Sequence, residues 1–261
     1  MTIGIIGMGY VGRAVAHTLP IDTTLYLDPK AGYSSCTIED IKKTDAVVIC
    51  VPTPSNPNGS CNTSILKKVI DDLNVGTLYK GIMISKSTAP PQFYKELNRR
   101  YVNLVHVPEF LRASNANNDY QNSEFAVFGG NPGWTHSAED VLTQGKYKPR
   151  RVSHMPIEAA ALYKYMANSF LASKLVWMNE FKELADSLGI DWFDLTESAR
   201  LDSRIGSGHT MVPGPDGKFG YAGACFPKDI SAIMHMAKDK GVDLSILGAV
   251  VSKNDILRQK V

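Results

Sequence analysis

Residues 2–6, TIGII, form a short β-prone apolar run that passes directly into Gly7-Met8-Gly9-Tyr10-Val11-Gly12, and residues 11–19, VGRAVAHTL, then follow a helical period. Strand, glycine turn, helix is the order that most restricts this chain, because it opens a dinucleotide-binding βαβ unit. Gly7 suits the tight turn, Gly9 the close approach of backbone to a pyrophosphate, and Gly12 the packing of helix on strand. Tyr10 and Val11 complete the turn, and the helix N-terminus offers its N–H groups to phosphate. A second run, TTLYLD, ends at Asp28, about 20 residues past the first glycine, where an acid accepts hydrogen bonds from the adenosine ribose. A carboxylate there favours NAD over NADP, since it repels a 2′-phosphate, although Lys30 softens the exclusion. The competing reading is a glycine turn with an unrelated aspartate at a strand end.

Apolar runs suited to parallel strands recur at 46–51, 81–85, 103–107 and 125–128, with helical or loop segments between them. They predict a doubly wound sheet. Open α/β sheets hold ligands beyond the carboxyl ends of their strands, and three segments fall there: Val51-Pro52-Thr53-Pro54, Ser87-Thr88-Ala89-Pro90-Pro91 and 107–112, VPEFLR. Each can line a cofactor cleft, or its prolines simply punctuate a loop. Thr88 and Glu109 carry more weight, because a hydroxyl and a carboxylate at adjacent strand ends can hold one water between them.

Residues 145–153, GKYKPRRVS, are basic and unpatterned, and read as a link between a domain over 1–150 and another over 151–261. From Ile157 a helical pattern rich in Ala and Leu runs without Gly or Pro until Gly189. Lys164 and Asn168 are spaced i, i+4, and Asn179 returns close to their face, so a polar stripe follows an otherwise apolar helix. That stripe is either a solvent edge or a functional face. Residues 199–220 are dense in Gly, Pro and polar groups, too long and irregular for a simple connection. Within them Arg204 can clamp a phosphate or carboxylate, or simply be a surface arginine, and His209 reads as structural. After Asp229 the chain reads as two helices broken near Gly241-Val242-Asp243. The fold class is therefore α/β: an N-terminal Rossmann-type doubly wound sheet, followed by an all-helical second domain with a long central helix.

The decapeptide 220–229, GYAGACFPKD, sets Cys225 among glycines and follows it with Lys228 and Asp229. A cysteine attacks as the thiolate, which a lysine and a nearby helix N-terminus favour, while glycines let a ligand approach the sulfur. By itself the spacing also fits an inert cysteine on a glycine-rich turn. The other cysteines, Cys36, Cys50 and Cys61, show neither CxxC nor His-rich spacing, which argues against a zinc site and suits free thiols in a reducing compartment. No metal is expected. A formal charge of +2 with 21% charged residues gives no reason to expect nucleic acid or a membrane surface as partner. No apolar run reaches the ~18 residues of a membrane span and no signal peptide is apparent, so a cytoplasmic protein is expected.

In this order GIIGMGYVG, VPTP, STAPP, VPEFLR, LYKYMANSFLASKLVWMNE and GYAGACFPKD resemble the UDP-glucose/GDP-mannose dehydrogenase family, whose signatures read approximately GxGYVG, STVPPGT, PEFLREG, KxxxNxxxAxKxxxxNE and GFGGxCFPKD. The resemblance covers nearly the whole chain. It implies two NAD-dependent oxidations that turn the C6 alcohol of a nucleotide sugar into a carboxylate, UDP-glucose to UDP-glucuronate being the first expectation. Cys225 would attack the aldehyde, giving a thiohemiacetal and then a thioester. Lys164 would stabilise the oxyanion and Asn168 would hydrogen-bond the reacting oxygen. Asp229 would act with a water and Lys164 on the alcohol proton, and Glu109 with Thr88 would position the hydrolytic water.

The resemblance further implies a cofactor site over Gly7, Gly9, Tyr10, Val11, Gly12, Asp28, Lys30, Val51, Pro52, Thr53, Ser87, Thr88 and Lys228. The sugar nucleotide would meet Glu109, Phe110, Leu111, Lys164, Asn168, Arg204, Phe219, Gly220 and Cys225. Arg204 lies in a DSRIG segment like the family's DpRIG loop, whose arginine reaches the substrate of a neighbouring subunit, so a homodimer is expected. Three departures stand out: Ala113 replaces a glutamate, Ala222 replaces a glycine, and the sequence ends where members carry a second Rossmann-like domain. A fragment or a short form is the expectation. A non-catalytic relative, or a single-step sugar or hydroxyacid dehydrogenase, remains an alternative.

Overall fold

In the computed structural model, which describes residues 1–30 and 32–260, the chain divides into two compact units. The first comprises residues 1–54 and 61–164, and the second 55–60 and 165–261.

The first unit is a seven-stranded sheet in the order β2-β1-β3-β4-β5-β6-β7. Its strands are β1 (Ile3–Ile6), β2 (Thr24–Leu27), β3 (Ala46–Ile49), β4 (Ile82–Ser85), β5 (Leu104–His106), β6 (Phe125–Gly129) and β7 (Arg151–Met155). Between them run α1 (Tyr10–Thr18), α2 (Ile38–Ile41), α3 (Ser64–Leu73), α4 (Pro91–Arg100), α5 (Ala116–Gln121) and α6 (Pro132–Thr143). β1 to β5 are parallel, and β1, β3, β4 and β5 are buried on both faces, which is why they read as unbroken apolar runs rather than alternating ones. Ile3, Ile5, Val48, Ile84 and Phe128 pack on one side with Val141 and Leu142. Ile6, Val47, Ile49 and Met83 pack on the other with Leu66, Ile70 and Tyr94. Chain order reverses about β1, with β2 on one side of it and β3 on the other, so the crevice at their carboxyl ends is the natural ligand position.

Two expectations are corrected here. The strand expected to be parallel at 125–128 is β6, and it joins β5 antiparallel through the single pair His106 and Gly129. The basic link expected at 145–153 contains β7, which pairs in parallel with β6 along its whole length. Arg151 and Ser153 point outward on this edge strand, so its charges hid a strand whose one free edge needs only polar cover. The division at residue 150 therefore falls too early: β7 and the first two turns of the next helix belong to the sheet unit.

The second unit is helical. α7 (Ile157–Leu188) enters it at Tyr165 and is followed by α8 (Trp192–Leu201), α9 (Phe226–Asp239) and α10 (Ser245–Gln259). α7 ends just before Gly189, a residue at φ +71° that only glycine adopts without strain, and α9 and α10 break around Gly241 as the sequence predicts. Residues 55–60 join this unit through the Ser231 hydroxyl, which donates to the Gly59 carbonyl at 3.1 Å. Lys253 on α10 pairs with Glu180 and Glu183 on α7.

Candidate active site

The glycine turn fits the job of holding a dinucleotide. Gly7 sits at φ +94°, and a Cβ there would meet the Cys50 carbonyl oxygen at 2.6 Å, so the turn that joins β1 to α1 admits no side chain. A Cβ on Gly12 would come within 1.9 Å of the Gly7 carbonyl oxygen. Gly9 is exposed and has open space where a Cβ would lie, which leaves backbone accessible beside Tyr10 and Val11 at the start of α1. The Asp28 carboxylate closes this edge. It accepts from the Met8 N–H at 2.6 Å and from the Lys30 N–H at 2.8 Å, keeping lone pairs for a diol.

At the neighbouring strand ends the backbone is cross-tied. The Ser87 hydroxyl donates to the Val51 carbonyl at 2.7 Å, and the Thr53 hydroxyl donates to the Thr88 carbonyl at 2.6 Å. Val51 and Thr53 are buried while Pro52 between them is exposed. Glu109 follows β5. One of its carboxylate oxygens accepts from the Phe110 N–H at 2.8 Å, and the other lies 3.2 Å from the Lys86 ammonium. Lys86, 3% exposed, also donates to the Val107 carbonyl and stands 4.9 Å over the Tyr120 ring. Lys164 arrives from α7, donates to the Glu109 carbonyl and lies 4.9 Å above the Phe110 ring. Thr88, Glu109, Phe110 and Lys164 are thus gathered within one unit, and Leu111 packs on the core behind them. Ala113 is exposed at the start of a short 3₁₀ turn.

The second unit gathers another set. Asp229 is 1% exposed, and its carboxylate accepts from Asn168 Nδ2 at 2.6 Å and from Lys228 Nζ at 2.7 Å. Cys225 is exposed and occupies the N-cap position of α9, where backbone N–H groups lack helical partners. Its loop is held at the other end: the Gly220 N–H donates to Asn179 Oδ1 at 3.1 Å, and the Tyr221 N–H donates to Asn254 Oδ1 at 2.7 Å. Gly220 has φ +73°, and a Cβ on it would strike Asn254 Oδ1 at 2.5 Å. Phe219, half-buried, accepts from Arg258 through its carbonyl. Among the four thiols, burial pushes Cys50 up to about 12 and raises Cys36.

The polar stripe of α7 is therefore not a solvent edge, since Lys164, Asn168 and Asn179 are 8%, 5% and 1% exposed. Lys174, also on α7, donates to the carbonyls of Ile205, Gly206 and Gly208 and so fastens the irregular loop. Arg204 is exposed and turned back on Asp202 in a two-point ion pair, Nε to Oδ1 at 2.9 Å and Nη2 to Oδ2 at 2.7 Å. Three participants escaped sequence reasoning. Lys86 could have been flagged as a lysine directly continuing an apolar strand. His106 lies among apolar residues of β5, and Asn254 has no signal beyond sitting on the inner face of α10.

Two family models match successive parts of the chain, Lys164 falling within the second. Residues 30–144 match the NAD binding domain of the UDP-glucose/GDP-mannose dehydrogenase family, which makes NAD the cofactor of the sheet unit, and residues 158–256 match that family's central domain. A UDP-glucose 6-dehydrogenase of Rickettsia bellii is 34% identical over 83% of this chain and 50% of its own length. One from Pseudomonas aeruginosa is 31% identical over 87% of the chain and 52% of its own. The chain thus spans about half the length of the curated relatives it matches. A UDP-glucose dehydrogenase structure from Pyrobaculum islandicum superposes with a TM-score of 0.82 at 26% identity, covering 98% of this chain and 68% of that one. With both domain models matched in order along one chain, it belongs to the UDP-glucose/GDP-mannose dehydrogenase family.

Proposed function

We propose that this chain carries the catalytic machinery of an NAD-dependent nucleotide-sugar 6-dehydrogenase, with UDP-glucose as the first substrate to test. The observation that carries the reading is an exposed thiol at the N-cap of α9, four residues before a buried carboxylate tied to Asn168 and Lys228.

NAD supplies the acceptor for one hydride in each of two oxidations. Asp229, acting through a water and with Lys164, takes the proton of the C6 alcohol as the first hydride leaves carbon, and an aldehyde results. The Cys225 sulfur adds to the aldehyde carbon, and the alkoxide oxygen that forms is steadied by Lys164 and Asn168. Loss of the second hydride from that carbon re-forms a carbonyl, now a thioester. Water positioned by Glu109 and Thr88 adds to it and expels the thiolate, so one alcohol and one water yield a carboxylate, two hydrides and the accompanying protons. Lys86 keeps the Glu109 carboxylate oriented throughout, which makes it a positioning residue.

The chain acts as a homodimer in this reading. Leu162, Met166, Phe170, Trp177, Phe181 and Leu184 are all exposed on α7 at spacings of three, four and seven, the pattern of a helix that packs on another helix. Arg204 then leaves Asp202 for a substrate phosphate held by the partner. A cytoplasmic setting agrees with cysteines that form no disulfide among the described residues and with a supply of NAD.

The test incubates the protein with NAD and, separately, UDP-glucose, GDP-mannose and UDP-N-acetylmannosamine, and counts NADH per sugar consumed. Two NADH and one uronate are expected with one of them. No NADH from folded protein with any of the three overturns the reading.

A further inference from the structure

On the edge of the sheet, His136 and Glu139 lie on one face of α6 at a spacing of three, and His154 comes up beside them from β7. One donor atom from each of the three falls within 4.8 Å of the others. His154 Nε2 is 3.0 Å from Glu139 Oε2, and the two imidazole centroids are 4.2 Å apart. We propose that His136, Glu139 and His154 form a zinc site that clips α6 to the edge strand.

Two imidazoles and a carboxylate are a donor set that suits zinc among the divalent metals. Bonds of about 2.0–2.1 Å at tetrahedral angles set donors roughly 3.4 Å apart. The His154–Glu139 pair already stands near that separation. The remaining contraction is a rotation of His136, which is exposed and meets no core packing. Three protein ligands leave a fourth position for water. His154 Nδ1 is buried with no hydrogen-bond partner among the described residues, so the outer acceptor that tight zinc sites use is lacking. Micromolar rather than nanomolar affinity follows. The expectation of no metal rested on cysteines without CxxC or His-rich spacing; this ligand set contains no thiol, and its histidines come together only in the fold.

The site uses none of the residues placed in the chemistry proposed above. β7 lies five strand spacings from β1, roughly 24 Å from the glycine turn at about 4.8 Å per strand. Bound metal would instead join the last strand of the sheet to the helix behind it, at a free edge.

The whole chain, kept reduced, is titrated with zinc against a chromophoric chelator and separately with cobalt(II). One zinc per chain is expected, with visible d–d bands from cobalt and no thiolate-to-cobalt charge transfer in the near ultraviolet. His136→Ala, at an exposed position, is expected to weaken zinc binding by roughly 100-fold or more, and Glu139→Gln to weaken it as well. NAD binding, measured on each variant, reports that the sheet unit is folded. Equal zinc affinity in the wild type and His136→Ala overturns the proposal, as does a thiolate charge-transfer band, which would move the metal to Cys225 or another cysteine. Absence of binding by folded wild-type protein overturns it equally.

Discussion

The core strands of the sheet unit and the long helix α7 divide their residues between inside and outside differently. Around β1 to β5 the interior is aliphatic and aromatic, and charges face outward with few exceptions. α7 buries Tyr165, Val176 and Met178 in the same way, but it also buries Asn168 and Asn179 and leaves Phe170, Leu184 and Leu188 66%, 51% and 63% exposed. A sheet that obeys the hydrophobic rule is explained by folding alone. A helix with buried amides and an exposed apolar face needs partners for the first and cover for the second, and the proposed reaction centre and dimer would supply them.

The largest test of this contrast falls on the thiol. Cys225→Ser is expected to end uronate formation while leaving the fold intact, because position 225 is an exposed helix cap that serine fills well. NADH per sugar then drops from two to one at most, with loss of the complete reaction on the order of 10³-fold or more. If Cys225→Ser still produces uronate with two NADH, the helical unit loses its claim to the second oxidation.

His106 is a buried titratable group on β5 and offers a way to break the contrast. It is buried, stacked on Tyr94 with centroids 4.2 Å apart, and bonded through Nδ1 to the Ser85 carbonyl. Desolvation, the largest influence, lowers it from 6.5 to about 3. Between those values the unfolded chain binds a proton that the folded chain refuses, so stability falls as pH drops through that window. Going from pH 7 to about pH 4.5, this one group costs roughly 2–3 kcal/mol. Denaturant unfolding of His106→Gln at both pH values is expected to lack that part of the dependence. An unchanged slope would mean that His106 is protonated in the native state, adding a second buried cation to that of Lys86.

Asn179→Ala sharpens the contrast from the other side. It leaves the Gly220 N–H without its acceptor inside the protein, at a cost of about 1–3 kcal/mol. For a chain of this size that lowers Tm by a few degrees. Faster alkylation of Cys225 is expected alongside, since the loop loses one of its two anchors. Equal Tm and equal alkylation would leave the stripe as ornament.

The smallest change in stability belongs to the apolar face. Phe170→Asp is expected to alter unfolding of the isolated chain by no more than about 0.5 kcal/mol, as an exposed position does. It should nevertheless turn a dimer into a monomer in light scattering. A dimer that survives it must use another surface.

Much of the sheet could be read directly, because strands buried on both faces leave continuous apolar runs and the glycine turn has only one good structural explanation. β7 could not, since RVSHM is an edge strand with polar residues facing out and carries neither signal. α7 was legible in extent because nothing in 157–188 breaks a helix, but its orientation was not. Periodicity places Asn168 and Asn179 on one face, yet only Asp229 and Gly220, distant in sequence, decide that this face turns inward. Lys86 was missed for a related reason: its partner Glu109 is one strand over, and a spacing rule within one segment cannot see across a sheet.

Asn168 and Asn179 are about three turns apart on one rigid rod, a rise of roughly 16 Å. They grip the chain at Asp229 and Gly220, the two ends of the segment that contains Cys225. α7 thus works as a gauge: it fixes the span across which that segment is strung, and hence how much slack it has. One residue inserted between 168 and 179 would swing one peg by about 100° from the other. The sulfur would keep every neighbour in sequence and lose its tether in space.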